Sequence, residues 1–138
     1  MFIKTVNAIL RTRGIDPTDQ GFIVEVRNEP YLPLVIKGIG SGPSGHPSVS
    51  VCQYTERAGS LLRDSEMRFE IIKDLESPDP AAWKPYYYRN DYVVCERTST
   101  WINESGEVIV CAETLQNLIE YASTWDLLLR EQGFLDAR

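Results

Sequence analysis

The chain is poor in the residues from which catalytic and metal centres are usually built. Its only histidine, His46, lies in a loop rich in glycine, proline and serine, where no neighbour in sequence would orient it. A Ser-His-Asp triad, a Cys-His pair and most zinc sites need a histidine that is held in place. No GxSxG, HExxH or Walker motif occurs. The sequence therefore predicts neither a metal ion nor a cofactor.

Cysteines and long apolar runs are also scarce. The three cysteines, Cys52, Cys95 and Cys111, are far apart, and each lies in an apolar, strand-like run. This pattern is typical of reduced, mostly buried thiols in a cytosolic protein. No apolar run approaches the ~20 residues that cross a bilayer. Residues 1–7 lack the features of a secretory signal, and residues 135–138 carry no lipidation motif. We therefore expect a cytoplasmic protein without a membrane partner.

Basic residues are too few to balance the acidic ones. The net charge is −6. Residues 1–69 hold eight basic and seven acidic residues, whereas residues 70–138 hold six basic and thirteen acidic ones. An acidic half repels phosphate backbones, so direct nucleic-acid binding is not expected. The same charge suits a basic protein partner, although solubility alone would also explain it.

What the sequence does contain is typical of one α+β domain spanning residues 1–138. The hydrophobic content of 43% and the charged content of 25% are those of an ordinary soluble domain. An apolar stripe predicts a short helix over residues 2–13, with Thr5 as its N-cap. A second stripe, at three- and four-residue steps, predicts a long helix from Leu115 to a stop at Gly133.

Between the helices, alternating or continuously apolar segments predict strands. They are residues 22–28, 34–39, 48–54, 66–72, 83–88, 92–101 and 107–111. The connections are too short for crossover helices. We therefore expect a single, mostly antiparallel sheet of about six or seven strands, with the N-terminal and C-terminal helices packed on one face. On the last helix, Asp126 and Arg130 are expected to form a routine pair across one turn.

An aromatic hairpin is the most distinctive segment. Four of the seven tyrosines fall between Tyr86 and Tyr92, around a polar step at residues 89–91. Aromatic residues favour strands, and Arg-Asn-Asp favours a tight turn. The arms of the hairpin are therefore predicted over residues 83–88 and 92–101.

This hairpin is the candidate partner-binding surface, because tyrosine and arginine are favoured anchors of protein interfaces. Alternation along a strand would place Tyr86 and Tyr88 on one face and Tyr87 on the other. Arg89 would either bind a partner carboxylate or stack on a neighbouring ring as part of the scaffold. The residues expected to contact a protein partner are Tyr86, Tyr87, Tyr88, Arg89, Asn90, Asp91, Tyr92 and Glu96.

Two other interpretations of this segment stay open. Asp91 and Glu96, with Arg89, would serve an enzyme of unrecognised type if a cleft brought the carboxylates together; otherwise Asp91 forms the turn by accepting backbone N–H groups. The aromatic edge could also pair with a second copy in a homodimer.

The glycine-rich segment 38–45 is not followed by a helix, so it predicts a flexible strand connection rather than a nucleotide site.

Three segments together resemble a known family. They read Pro-Tyr-Leu-Pro-Leu-Val-Ile at 30–36, Tyr-Tyr-Arg-Asn-Asp-Tyr-Val at 87–93, and Thr-Trp-Asp followed by Arg-Glu-Gln-Gly-Phe within 124–134. They are similar to a small bacterial family of domains of unknown function that occurs among plasmid, phage and other mobile-element proteins. The resemblance spans most of the chain and implies no activity, cofactor or catalytic residue. Its context implies a non-enzymatic interaction module, with inhibition of a host defence complex as one form.

Overall fold

A computed structural model gives the structure of residues 3–137. The first residue of the helix predicted over 2–13 and the last of segment 135–138 lie outside these described residues. The elements are, in chain order, α1 (Lys4–Thr12), β1 (Ile23–Val26), β2 (Leu34–Ser41), β3 (Pro47–Arg57), β4 (Ser60–Ile72), β5 (Ala82–Asn90), β6 (Cys95–Thr98), β7 (Thr100–Ile102), β8 (Val108–Val110) and α2 (Ala112–Glu131).

The six strands β1 to β6 form one antiparallel sheet in which each strand pairs with the next along the chain. The prediction of an α+β fold with an antiparallel sheet is confirmed. Strands β7 and β8 pair with each other in a small second sheet. The segment predicted as one strand over 92–101 is divided between the two sheets, because the chain bends at Ser99. There the Ser99 N–H and hydroxyl donate to the carbonyls of Tyr86 and Pro85, each at 3.0 Å.

Both helices pack on the same face of the main sheet, as predicted. Alternation along β4 turns Met67, Phe69 and Ile71 towards the helices, where all three are buried. Trp83 on β5 is fully buried beside Phe69, with the two ring centroids 5.4 Å apart. The helices contribute the remaining wall of this core, namely Ile3, Val6, Ile9, Leu10, Leu118, Ala122, Trp125 and Leu129. One apolar core therefore lies between the sheet and the helices.

The N-terminus of α1 is capped by a residue of α2. Thr5, predicted as the cap, lies inside the helix instead. The Asp126 carboxylate accepts the backbone N–H groups of Thr5 at 3.0 Å and Val6 at 3.1 Å. A carboxylate at this position satisfies free N–H groups and interacts favourably with the helix dipole. Asp126 thus links α2 to α1, whereas the sequence predicted a pair with Arg130.

The first arm of the aromatic hairpin is longer than predicted. Strand β5 continues through Arg89 and Asn90, and residues 91–94 form the turn. The side-chain oxygen of Asn90 accepts the N–H groups of Tyr92 at 2.9 Å and Val93 at 3.4 Å. Asparagine stabilises turns in this way. The turn therefore begins at Asp91 and not at Arg89 as predicted, and Asn90 stabilises it from the end of β5.

A β-bulge changes which tyrosines face the helices. In the pairing of β4 with β5, Tyr86 is the extra residue and has no partner of its own. An extra residue shifts the alternation of all that follow by one position. Tyr86 and Tyr87 therefore share the face away from the helices. Tyr88 lies on the helix side, 4.9 Å from Tyr121 between ring centroids. The prediction that Tyr86 and Tyr88 share a face was wrong because simple alternation ignores the bulge.

Candidate functional site

The candidate site is the face of the main sheet that points away from the helices, which we call the open face. Its side chains form two rows that cross the strands. One row contains Ile23, Lys37, Ser50, Arg68 and Tyr87, and the other contains Glu25, Val35, Cys52, Glu66, Arg89 and Glu96. A shallow hollow of about 640 Å³ lies over β1 to β4 on this face. Its volume is in the range of ligand-binding sites.

A buried carboxylate organises the floor of the open face. Glu66 is only 5% exposed. Its Oε2 accepts hydrogen bonds from Arg68 Nε at 3.0 Å and from the Ser50 hydroxyl at 2.8 Å. Its Oε1 lies 3.1 Å from Arg63 Nε, an ion pair without hydrogen-bond geometry. Because a buried carboxylate is tolerated only when it is compensated, Glu66 and the two guanidinium groups hold one another in position.

A second carboxylate fixes a third arginine. Asp91 Oδ1 accepts a hydrogen bond from Arg89 Nε at 2.7 Å, and Oδ2 accepts the backbone N–H of Arg63 at 2.9 Å. The Arg63 N–H and then the Arg89 guanidinium hold the pKa of the Asp91 carboxyl below its ordinary value of 3.8. Asp91 accepts a backbone N–H, as the sequence predicts, but from β4 rather than from its own turn. It therefore ties the hairpin to the neighbouring strand.

The hairpin tyrosines of the open face, Tyr86 and Tyr87, are held by polar neighbours. The guanidinium carbon of Arg68 lies 4.5 Å from the ring centroid of Tyr87, which is a cation–π contact. The Tyr86 and Ser48 hydroxyls are 2.7 Å apart. Burial raises the pKa of both phenols, so each is a neutral hydrogen-bonding group at neutral pH.

The structure places the predicted partner-binding residues in three locations. They lie on the open face (Tyr86, Tyr87, Arg89, Glu96), on the helix side of β5 (Tyr88, Asn90) and in the turn (Asp91, Tyr92). The turn itself is an exposed apolar tip, since Tyr92 is 47% and Val93 69% exposed. The hairpin is therefore partly exposed to solvent and partly buried.

Sequence reasoning missed the central members of the site, which are Arg63, Glu66 and Arg68. The alternation of β4 correctly directs Glu66 and Arg68 away from the core. That pattern does not reveal that Glu66 is buried on the outer face. A usable signal was the spacing of Glu66 and Arg68, since same-face residues of a strand lie two apart. Arg63, three residues before Glu66, shares that face only because the register of β3 and β4 shifts between Cys52 and Tyr54.

The glycine-rich segment covers one end of the open face. Strand β2 extends into it, and only residues 42–46 form the loop. Glu70 is fully buried there, and its Oε2 lies within hydrogen-bond distance of the N–H groups of Ser44 and His46, at 3.1 and 3.2 Å. Gly42 rests against Glu70 so closely that a Cβ atom would collide with the Glu70 side chain. The Glu70 carboxylate therefore holds the loop of residues 42–46 in place, within a segment that was predicted to be a flexible connection.

The open face is better arranged for binding than for acid–base chemistry. Asp91 has both carboxylate oxygens engaged within the fold, and Glu96 is exposed on β6 opposite Arg89. Burial raises the pKa of the Cys52 thiol to about 12, which leaves it protonated and weakly nucleophilic at neutral pH. In residues 3–137, no three His, Cys, Asp or Glu side chains converge as metal ligands would. Neither helix in that range combines the length and apolarity needed to cross a bilayer.

The family of the chain follows from residues 4–135, which match the model described as Domain of unknown function (DUF6908). The chain belongs to this family. The resemblance to a family of unknown function is thereby confirmed, while its bacterial and mobile-element origin stays a prediction. Neither a search of curated proteins nor a search of solved structures gave a match. A functional assignment therefore depends on the geometry of the open face.

Proposed function

We propose that the protein is a protein-interaction module without catalytic chemistry of its own, and that its partner docks on the open face and the adjoining β5–β6 hairpin. The main support is that the arginine groups of this face are fixed before any partner arrives. Glu66 orients Arg63 and Arg68, and Asp91 orients Arg89. Side chains that are already ordered lose little conformational entropy on binding, which favours affinity.

The types of side chain present also support docking. Tyrosine and arginine supply many of the strongest contacts in protein interfaces, and Tyr87 and Arg68 are already stacked here. The exposed tip at Tyr92 and Val93 adds apolar surface beside this polar area. A partner would therefore meet an apolar tip, flat aromatic rings and guanidinium donors within one continuous surface.

The biological setting of the proposal comes from the sequence motifs. They favour an accessory protein of a mobile element, acting in the cytoplasm on a host or defence complex. The net charge of −6 disfavours a nucleic acid as the direct ligand. It favours a protein partner with a basic region that approaches the acidic C-terminal half.

Two alternatives are less well supported. An enzyme using Asp91, Glu96 and Arg89 would need a free acid or base, whereas Asp91 is engaged in two bonds within the fold. Self-association has one supporting feature: the four-residue strand β6 lies at the edge of the sheet, where a second copy could add a strand. Elution as a dimer that Tyr87→Ala returns to monomer would favour self-association over capture of another protein.

The proposal is tested by partner capture from a lysate of the native host, followed by identification of the retained protein. We expect the wild type to retain a specific partner and the Tyr87→Ala/Arg89→Ala double variant to lose it. A variant with Tyr31→Ala and Arg130→Ala is the matched control, because it removes the same side-chain types outside the open face. Thermal unfolding of all three proteins checks that the fold is kept.

Equal capture by the wild type and the open-face variant would contradict the proposal. So would loss of capture by the control variant alone, which would move the docking surface elsewhere. A melting temperature of the open-face variant far below that of the wild type would assign Tyr87 and Arg89 to the scaffold.

A further inference from the structure

From the same face we infer the chemistry of the partner: the open face binds an extended acidic peptide segment, whose carboxylates are held by the Nη groups of Arg63, Arg68 and Arg89. This inference rests on the proposed interaction function and goes beyond it by naming the chemistry that is recognised. It describes only the segment of the partner that touches the open face; another part of the same partner can carry the basic region that approaches the acidic C-terminal half.

The orientation of the arginines is the first argument. Each of Arg63, Arg68 and Arg89 is paired to a carboxylate through its Nε atom. The side-chain hydrogen bonds within residues 3–137 include one from Arg68 Nε and one from Arg89 Nε, and none from an Nη atom of Arg63, Arg68 or Arg89. The three side chains are 31%, 37% and 40% exposed, respectively. A guanidinium has five N–H donors, so anchoring at Nε leaves the Nη edge available for a second carboxylate.

The distribution of charge is the second argument. Four cations, Lys37, Arg63, Arg68 and Arg89, lie on the open face, and each arginine is paired to Glu66 or Asp91. Because Glu25, Glu56 and Glu66 line the hollow beside Lys37, Arg63 and Arg68, the charges around it balance. The attraction for a negative group therefore comes from the individual guanidinium edges and acts at short range.

The acidic rim decides between peptide and nucleic acid. Glu25, Glu56 and Glu96 lie around the arginines, on β1, β3 and β6, and the first two line the hollow itself. A nucleic acid carries a charge at every phosphate and would bring several of them against these carboxylates. A peptide with spaced acidic residues can place a carboxylate on an arginine and keep uncharged atoms over the rim. The charge pattern therefore fits a peptide better.

The apolar part of the hollow is the third argument. Ile23, Ile39 and Leu61 line the same hollow as Arg63 and Arg68, and these three apolar side chains are 70%, 38% and 52% exposed. In an extended peptide, successive side chains point in opposite directions and alternate residues share one face. A segment with acidic and apolar residues on that face would meet both kinds of surface.

The test uses a fluorescein-labelled peptide of repeating Glu-Ser-Val-Ser, in which glutamate and valine share one face of the extended chain, with binding measured by fluorescence anisotropy. Peptides with glutamine or lysine in place of glutamate, and an oligothymidylate of similar length, are the comparison probes. We expect the glutamate peptide to bind most tightly. We expect Arg68→Gln to weaken its binding roughly tenfold, the effect of losing about one charge-assisted hydrogen bond. Arg130→Gln, on α2 and outside the open face, should leave binding unchanged.

Nuclear magnetic resonance of the arginine Nε–Hε groups in the wild type gives a second measurement that does not depend on any variant folding. Addition of the glutamate peptide should shift the signals of Arg63, Arg68 and Arg89 and leave that of Arg130 unchanged. Equal binding of the glutamine or lysine peptide would overturn the inference. Tighter binding of the oligothymidylate with shifts at the same three arginines would replace the peptide by a nucleic acid.

The two proposals fail in different ways. If Tyr87→Ala/Arg89→Ala abolishes partner capture while the glutamate peptide does not bind the wild type, docking on this face stands and the acidic chemistry is wrong. If the peptide binds and shifts the three arginines while partner capture is unchanged in the double variant, the acidic chemistry stands and the captured protein binds elsewhere.

Discussion

The two faces of the main sheet are built on different principles. The helix side is apolar and closed, with Trp83 and Met67 fully buried. The open face carries arginines that are about one third exposed, around a Glu66 that is almost completely buried. The first face derives its stability from removing apolar area from water. The second is ordered by ion pairs around a buried carboxylate, whose attraction is largely offset by desolvation although removing one partner is costly. Folding therefore depends mainly on one side of these strands, and the recognition that we propose uses the other.

The largest expected change in stability is that of Trp83→Ala. Removing a buried tryptophan and leaving a cavity should lower the free energy of unfolding by about 3–5 kcal/mol. Tyr87→Ala on the open face loses a cation–π contact with Arg68 and should cost only about 0.5–1 kcal/mol. Urea unfolding monitored by circular dichroism measures both. Similar losses for the two variants would mean that the open face belongs to the stabilising core.

A smaller effect is expected for Glu66→Gln. The change leaves Arg63 and Arg68 without their common counter-charge, and we expect a loss of about 1.5–3 kcal/mol in the free energy of unfolding. Glu96→Gln is the matched control, since this exposed glutamate should stay within about 0.5 kcal/mol of wild type. In an Arg68→Gln background, Glu66→Gln should cost less, because one of the two pairs is already absent. Additive losses would show that Glu66 does not couple to Arg68.

The smallest effect concerns pH. The pKa of Asp91 is lowered in the folded state, by the Arg63 N–H and then by the Arg89 guanidinium. The stability from this group is therefore present above its ordinary value of 3.8 and is lost as the pH falls through the lower folded pKa. The difference in unfolding free energy between wild type and Asp91→Asn should shrink as the pH falls below that ordinary value. A difference that stays constant on acidification would mean that Asp91 does not tie the hairpin to β4.

Much of the fold was predictable because it depends on local periodicity. The two-residue repeat of β4 places Met67, Phe69 and Ile71 inside whatever the rest of the chain does. The stripe of α2 similarly identifies Leu118, Ala122, Trp125 and Leu129, all of which are buried. Leu128, an apolar residue beside that stripe, is 44% exposed. Whether a residue at the edge of a helical face is buried depends on which neighbouring element lies against it, and periodicity alone does not specify that element.

The candidate site was less predictable because it depends on register. Whether Tyr86 joins Tyr87 or Tyr88 is decided by a bulge between β4 and β5, and a bulge leaves no distinct mark in this sequence. Asp126 shows the same limit: its position predicts a helix pair with Arg130, whereas the packing of the helices brings it to the N-terminus of α1.

The sequence by itself determined most of the strands and helices, the apolar sides of β4 and α2, and the antiparallel order that short connections impose. Only the tertiary structure decided that Arg63, Glu66 and Arg68 form one network and that Arg89 joins it through Asp91. The physical reason is that strand pairing, rather than local periodicity, decides which side chains share a face. Arg63 and Glu66 are three residues apart and lie on one face only because the register of β3 and β4 shifts between Cys52 and Tyr54. Asp91 accepts the Arg63 N–H only when β5 is paired with β4 in the observed register.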